Sequence, residues 1–520
     1  MPLARSTAGV WTRTPSTRSM PSRAGRGNPL LGVRHPMTKI ARAAGSLAAL
    51  SIALAGCASY SGIHGEERPI APEALAFQSK AGDGVFLDGD WPRADWWSMF
   101  GDAKLDALVT RALADNPGLH AAEARVRAAR ALGDAARSAL YPTLDLNAAA
   151  ARERLSEHDL IYGPYAGSSI NQGRATLDFA YEFDFWGKHR DELAAALGTA
   201  RAAEADSAAA RLVLAAALVE SYFQLQADIA TAEVARQTLA EREGLRELNS
   251  ERARRGLEAT LATRQSDGQV ASARVSLSAA EAAVELDRHQ LAALAGLGPH
   301  APLDVQPALH TYEEALALPA NLPADLLARR PDVAAARARV EAAAARIGAA
   351  KADFYPNINL TAFLGFDALT LHGLDLFSAG SRTGGVGPAI HLPVFEAGRL
   401  QASLRGRYGE YDAALAQYNQ ALLEALRQVA DQITSLRAVR GQLAEQANAL
   451  AAAEDAHRLT VDRYRAGLTS YLDVLVNEER LLNERLSRVR LQGRSLALVV
   501  ETIRALGGGY QADTTTAQGN

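Results

Sequence analysis

The chain is written twice. Residues 117–142 read PGLHAAEARVRAARALGDAARSALYP, and residues 331–356 read PDVAAARARVEAAAARIGAAKADFYP. Pro117 and Pro331, Arg125-Val126 and Arg339-Val340, and Tyr141-Pro142 and Tyr355-Pro356 recur at one constant offset. Further along, RRGLEATL (254–261) mirrors RAGLTSYL (465–472), and FWGKHRDEL (185–193) corresponds to FEAGRLQASL (395–404). A register kept this far makes the chain two copies of one unit, so its fold must be a doubled one. Proline at a first helical turn and Tyr-Pro at a helix stop fit the rules of helix ends.

Each unit reads helix, strand, loop, strand, long helix, turn, long helix. LDFAYEFDFWGK (177–188) alternates Leu177, Phe179, Tyr181, Phe183 and Phe185 with Asp178, Glu182 and Asp184, which predicts a strand with one apolar and one polar face. Its partner is TLDLNAAA (143–150). In the second unit, NINLTAFLGF (357–366) sets Ile358, Leu360, Leu364 and Phe366 against Asn357, Asn359 and Thr361, and PAIHLPVF (388–395) supplies the last strand. The glycine-rich run 380–387, GSRTGGVG, reads as a mobile loop; it lacks the lysine of a phosphate-binding loop. Four strands cannot close a barrel, since even small ones take about eight. An open sheet in hydrocarbon would leave edge N–H and C=O groups unpaired. Several chains sharing one barrel solve this; the alternative is an amphipathic sheet packed on a soluble core.

The helices are long. No proline falls between Gly187 and Pro299, and the one obvious break is Arg255-Gly256-Leu257, which predicts helices of about 60 and 40 residues. Leu212, Ala216, Val219 and Phe223 form a light coiled-coil seam. Small seam residues permit close packing, while the Glu, Arg and Gln of the opposite faces suit a water-filled interior.

Residues 1–36 carry arginines and no acidic residue and read as a leader or mis-assigned start. From Met37, Lys39 and Arg42 precede the apolar run 43–55, giving a signal peptide over 37–56 that ends at Cys57, the only cysteine. Leu54-Ala55-Gly56-Cys57 resembles a lipobox, which makes Cys57 the lipidation candidate over a buried structural thiol. One cysteine excludes a disulfide framework. The expected organisation is a lipidated segment 57–95, repeats at 96–310 and 311–510, and a tail 511–520.

Other classes find little support. A net charge of −4 argues against a nucleic-acid partner. The histidines lack metal-ligand spacing, and neither a phosphate-binding loop nor a nucleophile elbow is present. No enzymatic activity, cofactor or metal is expected.

From Trp96-Trp97-x-x-Phe100 to Leu506-Gly507-Gly508-Gly509 the chain resembles the outer-membrane efflux lipoproteins of the TolC/OprM type, in particular the NodT-like branch. The lipobox, the Tyr-Pro pairs, DFWGK and PVFEAGR, the two Gly-Leu turns and the terminal LGGG carry the resemblance. It implies a mainly α protein with a membrane β-barrel: a homotrimer with a twelve-stranded barrel continuous with a tunnel of long helices. Such a duct exports drugs or other small molecules with an inner-membrane pump and a periplasmic adaptor. Phe179, Tyr181, Phe183 and Phe185 would then face outer-membrane lipid, and Asp178, Glu182 and Asp184 the pore. The tips Gly256-Leu257 and Gly467-Leu468 would meet the adaptor, with Arg254, Arg255 and Arg465 beside them; plain turn chemistry is the other reading. Tyr464, Leu472, Asp473 and Leu475 would form the periplasmic constriction, with Ala262 and Val476 standing where the family pattern has acidic residues; helix capping is the alternative for Asp473. A duct for secreted polypeptides, a periplasmic adaptor and a lipoprotein coiled-coil scaffold are the other functions in view.

Overall fold

The computed structural model describes residues 59–70, 91–158, 166–306, 329–370 and 375–511, all within one compact unit, Ser59–Asn520. Cys57, the leader and the signal peptide lie outside the described residues.

The duplication is visible element by element. After a short 3₁₀ turn, Trp96–Phe100, and α1 (Ala103–Asp115), the first unit runs α2 (Pro117–Ser138), β1 (Thr143–Arg154), β2 (Ser169–Glu182), α3 (Lys188–Arg254) and α4 (Thr260–Leu294). The second runs α5 (Pro331–Ala352), β3 (Asn357–Thr370), β4 (Arg382–His391), α6 (Arg399–Arg465) and α7 (Tyr471–Ala505). Corresponding helices match in length: 22 residues for α2 and α5, 67 for α3 and α6, 35 for α4 and α7. At 1.5 Å per residue, α3 and α6 each extend roughly 100 Å. No helix among the described residues is long and apolar enough to cross a membrane.

The helix ends follow from local chemistry. Asn116 caps α2 by accepting from Gly118 N at 2.8 Å, and Pro117 occupies the first turn, where an N–H has no helical partner. The two long hairpins reverse at Gly256 and Gly467, with φ of 73° and 77°. There Leu257 N donates to Arg252 O at 2.9 Å and Leu468 N to Arg463 O at 2.8 Å, the Schellman closure that a left-handed glycine makes available.

The main core explains the aromatic opening of the repeat region. Trp96 and Phe100 are buried with Leu105, Val109, Tyr222 and Leu225, and Phe100 meets Phe223 edge-to-face at 4.8 Å. Asp102 accepts from Lys104 N and Leu105 N at the start of α1, while the Tyr222 hydroxyl donates to its other oxygen at 2.5 Å. Burial, then the Asp102 carboxylate, pushes the Tyr222 hydroxyl upward. Ala216, Val219 and Phe223 of the expected seam are buried, and Leu212 is half-buried.

The four strands form one antiparallel sheet in the order β1-β2-β3-β4. The paired registers place Leu144, Leu146, Leu177, Phe179, Tyr181, Ile358, Leu360, Leu364, Val386 and Ile390 on one face. Two strand assignments are corrected. β2 ends at Glu182, so Phe183, Asp184 and Phe185 lie beyond it, although Phe183 N still donates to Ile358 O at 3.0 Å. The last strand is Arg382–His391, which takes in most of the glycine-rich run read as a loop and excludes 392–395. Glycine is needed there because Gly385 pairs with Phe363, whose ring lies over it: a Cβ would sit 2.9 Å from Phe363 Cε1. The missing side chain makes room for the aromatic neighbour, a spacing invisible in the strand's own sequence.

Candidate functional site

The sheet has two chemically distinct faces and two open edges. On the polar face Asp145 lies directly opposite Asp178, an unfavourable pairing of like charges. Asn147 Nδ2 and Thr176 Oγ1 relieve it by donating to Asp178 Oδ2 at 2.7 and 3.0 Å. Glu182 shares this face, accepts from Asn357 Nδ2 at 2.6 Å and lies 3.2 Å from His189 Nε2. Phe363 also sits here, so the face is polar without being uniformly so. On the opposite face Leu146, Leu364, Val386 and Ile390 are exposed. The outer edges of β1 and β4 carry no ladder partner among the described strands.

Asp184 does not stand on the strand face expected for it. It accepts from His189 N at 3.3 Å and Arg190 N at 3.0 Å in the first turn of α3. Burial alone would raise this carboxyl; the two amides and the Arg190 guanidinium outweigh it and hold it below the usual range. The Asp-Phe-Trp-Gly stretch is thus a strand-to-helix corner. Trp186 stacks on Tyr355 at 4.6 Å and donates its indole N–H to Pro356 O at 2.8 Å, tying the corner of one unit to the Tyr-Pro end of the other.

At the far ends of the hairpins, Leu257 and Leu468 are exposed, the latter at 67%. Leu261, Leu472 and Val476, in the first two turns of α4 and α7, are exposed as well. Arg254, Arg255 and Arg465 pair with Glu247, Glu251 and Asp462. Exposed pairs of this kind are worth about 0–1 kcal/mol, so they can exchange for another partner at small cost.

The four residues expected at the constriction divide. Leu472 and Asp473 are exposed, Leu475 is half-buried, and Tyr464 is buried at 1% exposure inside the helix layer. As placed, Tyr464 lines no opening; it packs with Leu245, Ala262, Tyr471 and Val474. Its hydroxyl lies 2.5 Å from Asn249 Oδ1 and 2.9 Å from Glu258 Oε2, and the Arg252 guanidinium sits over its ring at 4.8 Å. Burial first, and Glu258 second, drive the Tyr464 hydroxyl upward. The acidic neighbour of Tyr464 in the first unit is Glu258, just past the first turn.

Asp473 completes a capping box at the start of α7. Its Oδ2 accepts from Thr469 Oγ1 at 2.6 Å, Ser470 N at 3.0 Å and Ser470 Oγ at 2.7 Å, and its own amide donates to Ser470 Oγ at 3.3 Å. The Thr469 and Ser470 hydroxyls hold the carboxyl down at about 2. A depressed folded value means the stabilisation is complete above the ordinary 3.8 and disappears as pH falls through about 2.

Further up the hairpins lies a feature sequence reading did not find. Arg242 Nε of α3 meets Glu478 Oε1 of α7 at 2.6 Å, with Glu478 only 2% exposed, and Arg242 also donates to Gln269 O of α4 at 3.3 Å. Tyr471, two turns from Glu478, is pushed up to about 12, mainly by burial and then by that carboxylate. No local motif could announce a pair formed across 236 residues.

Paired long helices bearing a two-faced, open-edged sheet define a class of membrane channel built from duplicated chains. The chain belongs to the outer membrane efflux protein family, whose model matches residues 108–297 and again 322–508, once in each unit. It is similar to the fusaric acid resistance protein FusA of Burkholderia cepacia, 34% identical over 378 residues, covering 72% of this chain and 70% of FusA. It is 30% identical over 473 residues to the multidrug resistance outer membrane protein MdtP of Escherichia coli K12, covering 88% and 94%. The crystal structure of the outer membrane protein VceC from Vibrio cholerae superposes with a TM-score of 0.75 at 37% identity, covering 81% of this chain and all of VceC. The chain is an outer-membrane efflux channel, mainly α with a membrane β-barrel.

Proposed function

We propose that three copies join their sheets edge to edge into one twelve-stranded barrel and their helices into a tunnel beneath it. The duct passes drugs or other small molecules outward, with an inner-membrane pump supplying the energy and a periplasmic adaptor docking at Leu257 and Leu468. The observation that carries this reading is the sheet itself: an exposed apolar face bounded by two edges with no ladder partner among the described strands. Such edges are intolerable in hydrocarbon unless another chain completes the ladder. The chain serves as a conduit, consistent with its family, and does no bond chemistry of its own. Cys57 is the proposed lipid attachment point within a lipidated segment 57–95, checked by fatty-acid labelling that Cys57→Ala abolishes. Mass measurement in mild detergent should give a trimer; a monomer that inserts into bilayers and conducts would overturn the shared barrel.

Asp473 is proposed to serve both the helix cap and the periplasmic constriction. The bonds from Thr469 and Ser470 favour the charged carboxylate, and threefold symmetry would set three such charges around one opening. Such a ring concentrates cations, less so as salt screens it. Asp473→Asn should reduce cation preference in single-channel recordings of intact trimers. Unchanged selectivity in a folded Asn variant would leave Asp473 as a cap alone.

A further inference from the structure

The apolar face of the sheet does not stay apolar along its whole height. Near the helices β1 carries Leu144 and Leu146, followed by Ala148 and Ala150; the same face then ends in Arg152 and Arg154. The other edge strand, β4, begins on this face with Arg382, which pairs with Phe366. All three arginines are exposed, and none of their side chains makes an ion pair or hydrogen bond with a described residue. They lie at the rim far from the helices, because β1 ends and β4 starts there.

Arginine facing lipid costs about 2–4 kcal/mol at a bilayer midplane but only about 0–1 near the interface. Leu144 to Arg154 is roughly 33 Å of strand, and a tilt of about 40° reduces this to roughly 25 Å along the membrane normal, the height of the apolar band, so Arg152 and Arg154 fall where that band gives way to headgroups. If the barrel closes as proposed above, on which this inference rests, β4 of one copy adjoins β1 of the next. Arg382 then joins Arg152 and Arg154 of its neighbour at each subunit seam. Three guanidinium groups facing outward at headgroup depth suit phosphate, which arginine binds through paired N–H donors.

We propose that each subunit seam carries, at the outer rim of the barrel, a binding site for a phosphorylated lipid headgroup of the outer leaflet. The site would clamp two subunits through one lipid.

Native mass spectrometry of the full-length protein can read assembly and lipid retention together. The probes are a diphosphorylated glycolipid, the same glycolipid without phosphates, and inorganic phosphate as competitor. Trimers should retain the diphosphorylated lipid and release the dephosphorylated one, and millimolar phosphate should not displace it. Arg152→Gln/Arg154→Gln/Arg382→Gln should lower retention roughly tenfold or more. Arg174→Gln, on the polar face opposite Asp367, should leave it unchanged. Trimers of the triple variant that hold the lipid like the wild type overturn the site, as does full displacement by phosphate. Should the triple variant fail to assemble, Arg382→Gln alone decides, and wild-type retention there overturns the site. A wild-type protein that forms no trimer overturns the shared barrel and the seam with it.

Discussion

Arg242→Met should destabilise the helical region by about 3–5 kcal/mol, because it strands the Glu478 carboxylate in a nearly dry layer. Glu478 Oε2 already lacks a hydrogen-bond partner, so losing Arg242 would leave neither oxygen of this buried carboxylate bonded. Arg485 does not replace it, being engaged with Glu241 at 3.1 Å. Loss of helical circular dichroism on heating, followed in detergent, should shift to clearly lower temperature. Arg242→Met/Glu478→Leu should recover most of the loss, since apolar residues of similar volume often replace a buried pair without penalty. A single variant as stable as wild type would show that water reaches Glu478. The pair links α3, α4 and α7 above the turns, so its loss should also loosen the layer that holds Tyr464.

What the sequence made legible was whatever repeats or alternates. The duplication is a pattern repeated along the chain, while the strand alternation and the Gly-Leu turns rest on residues near one another; these stand in the structure, with the bounds of β2 and β4 corrected. The failures have a common physical form: a neighbour from elsewhere decided the outcome. Phe183 and Asp184 continue the alternation of β2 perfectly, yet the amides of α3 claim the Asp184 carboxylate and end the strand. The glycine-rich run looked too flexible for a strand because its partner, Phe363, lies on another one. Tyr464 was read as a gate residue by resemblance; Asn249 and Glu258, both from the first unit, draw it into the interior. Even the capping box at Asp473 was open to sequence logic, since Ser470 and Asp473 stand three apart before an apolar run.

The two faces of the sheet should answer oppositely to one and the same substitution. Phe179 lies on the apolar face beside Leu144 and Ala362, within β2 near its helix-proximal end, whereas Phe183 has left the strand and would test the corner instead. Phe179→Arg puts a charge against the helix-proximal margin of the hydrocarbon band, so its cost should fall between the about 0–1 kcal/mol of an interface and the about 2–4 kcal/mol of the midplane. Asp178 is its immediate neighbour on the other face, directly across from Asp145. Asp178→Arg gives up the bonds from Asn147 and Thr176 but converts a like-charge pair into an attractive one, so its net effect should stay within about 1 kcal/mol. Folding of both variants into lipid vesicles, titrated with urea, compares them under one condition. Because the two positions are adjacent, depth in the membrane and distance from the helices are nearly the same, and only the face differs. Equal costs at both would mean that the face carrying Phe179 does not touch lipid, and the barrel orientation would fall with it.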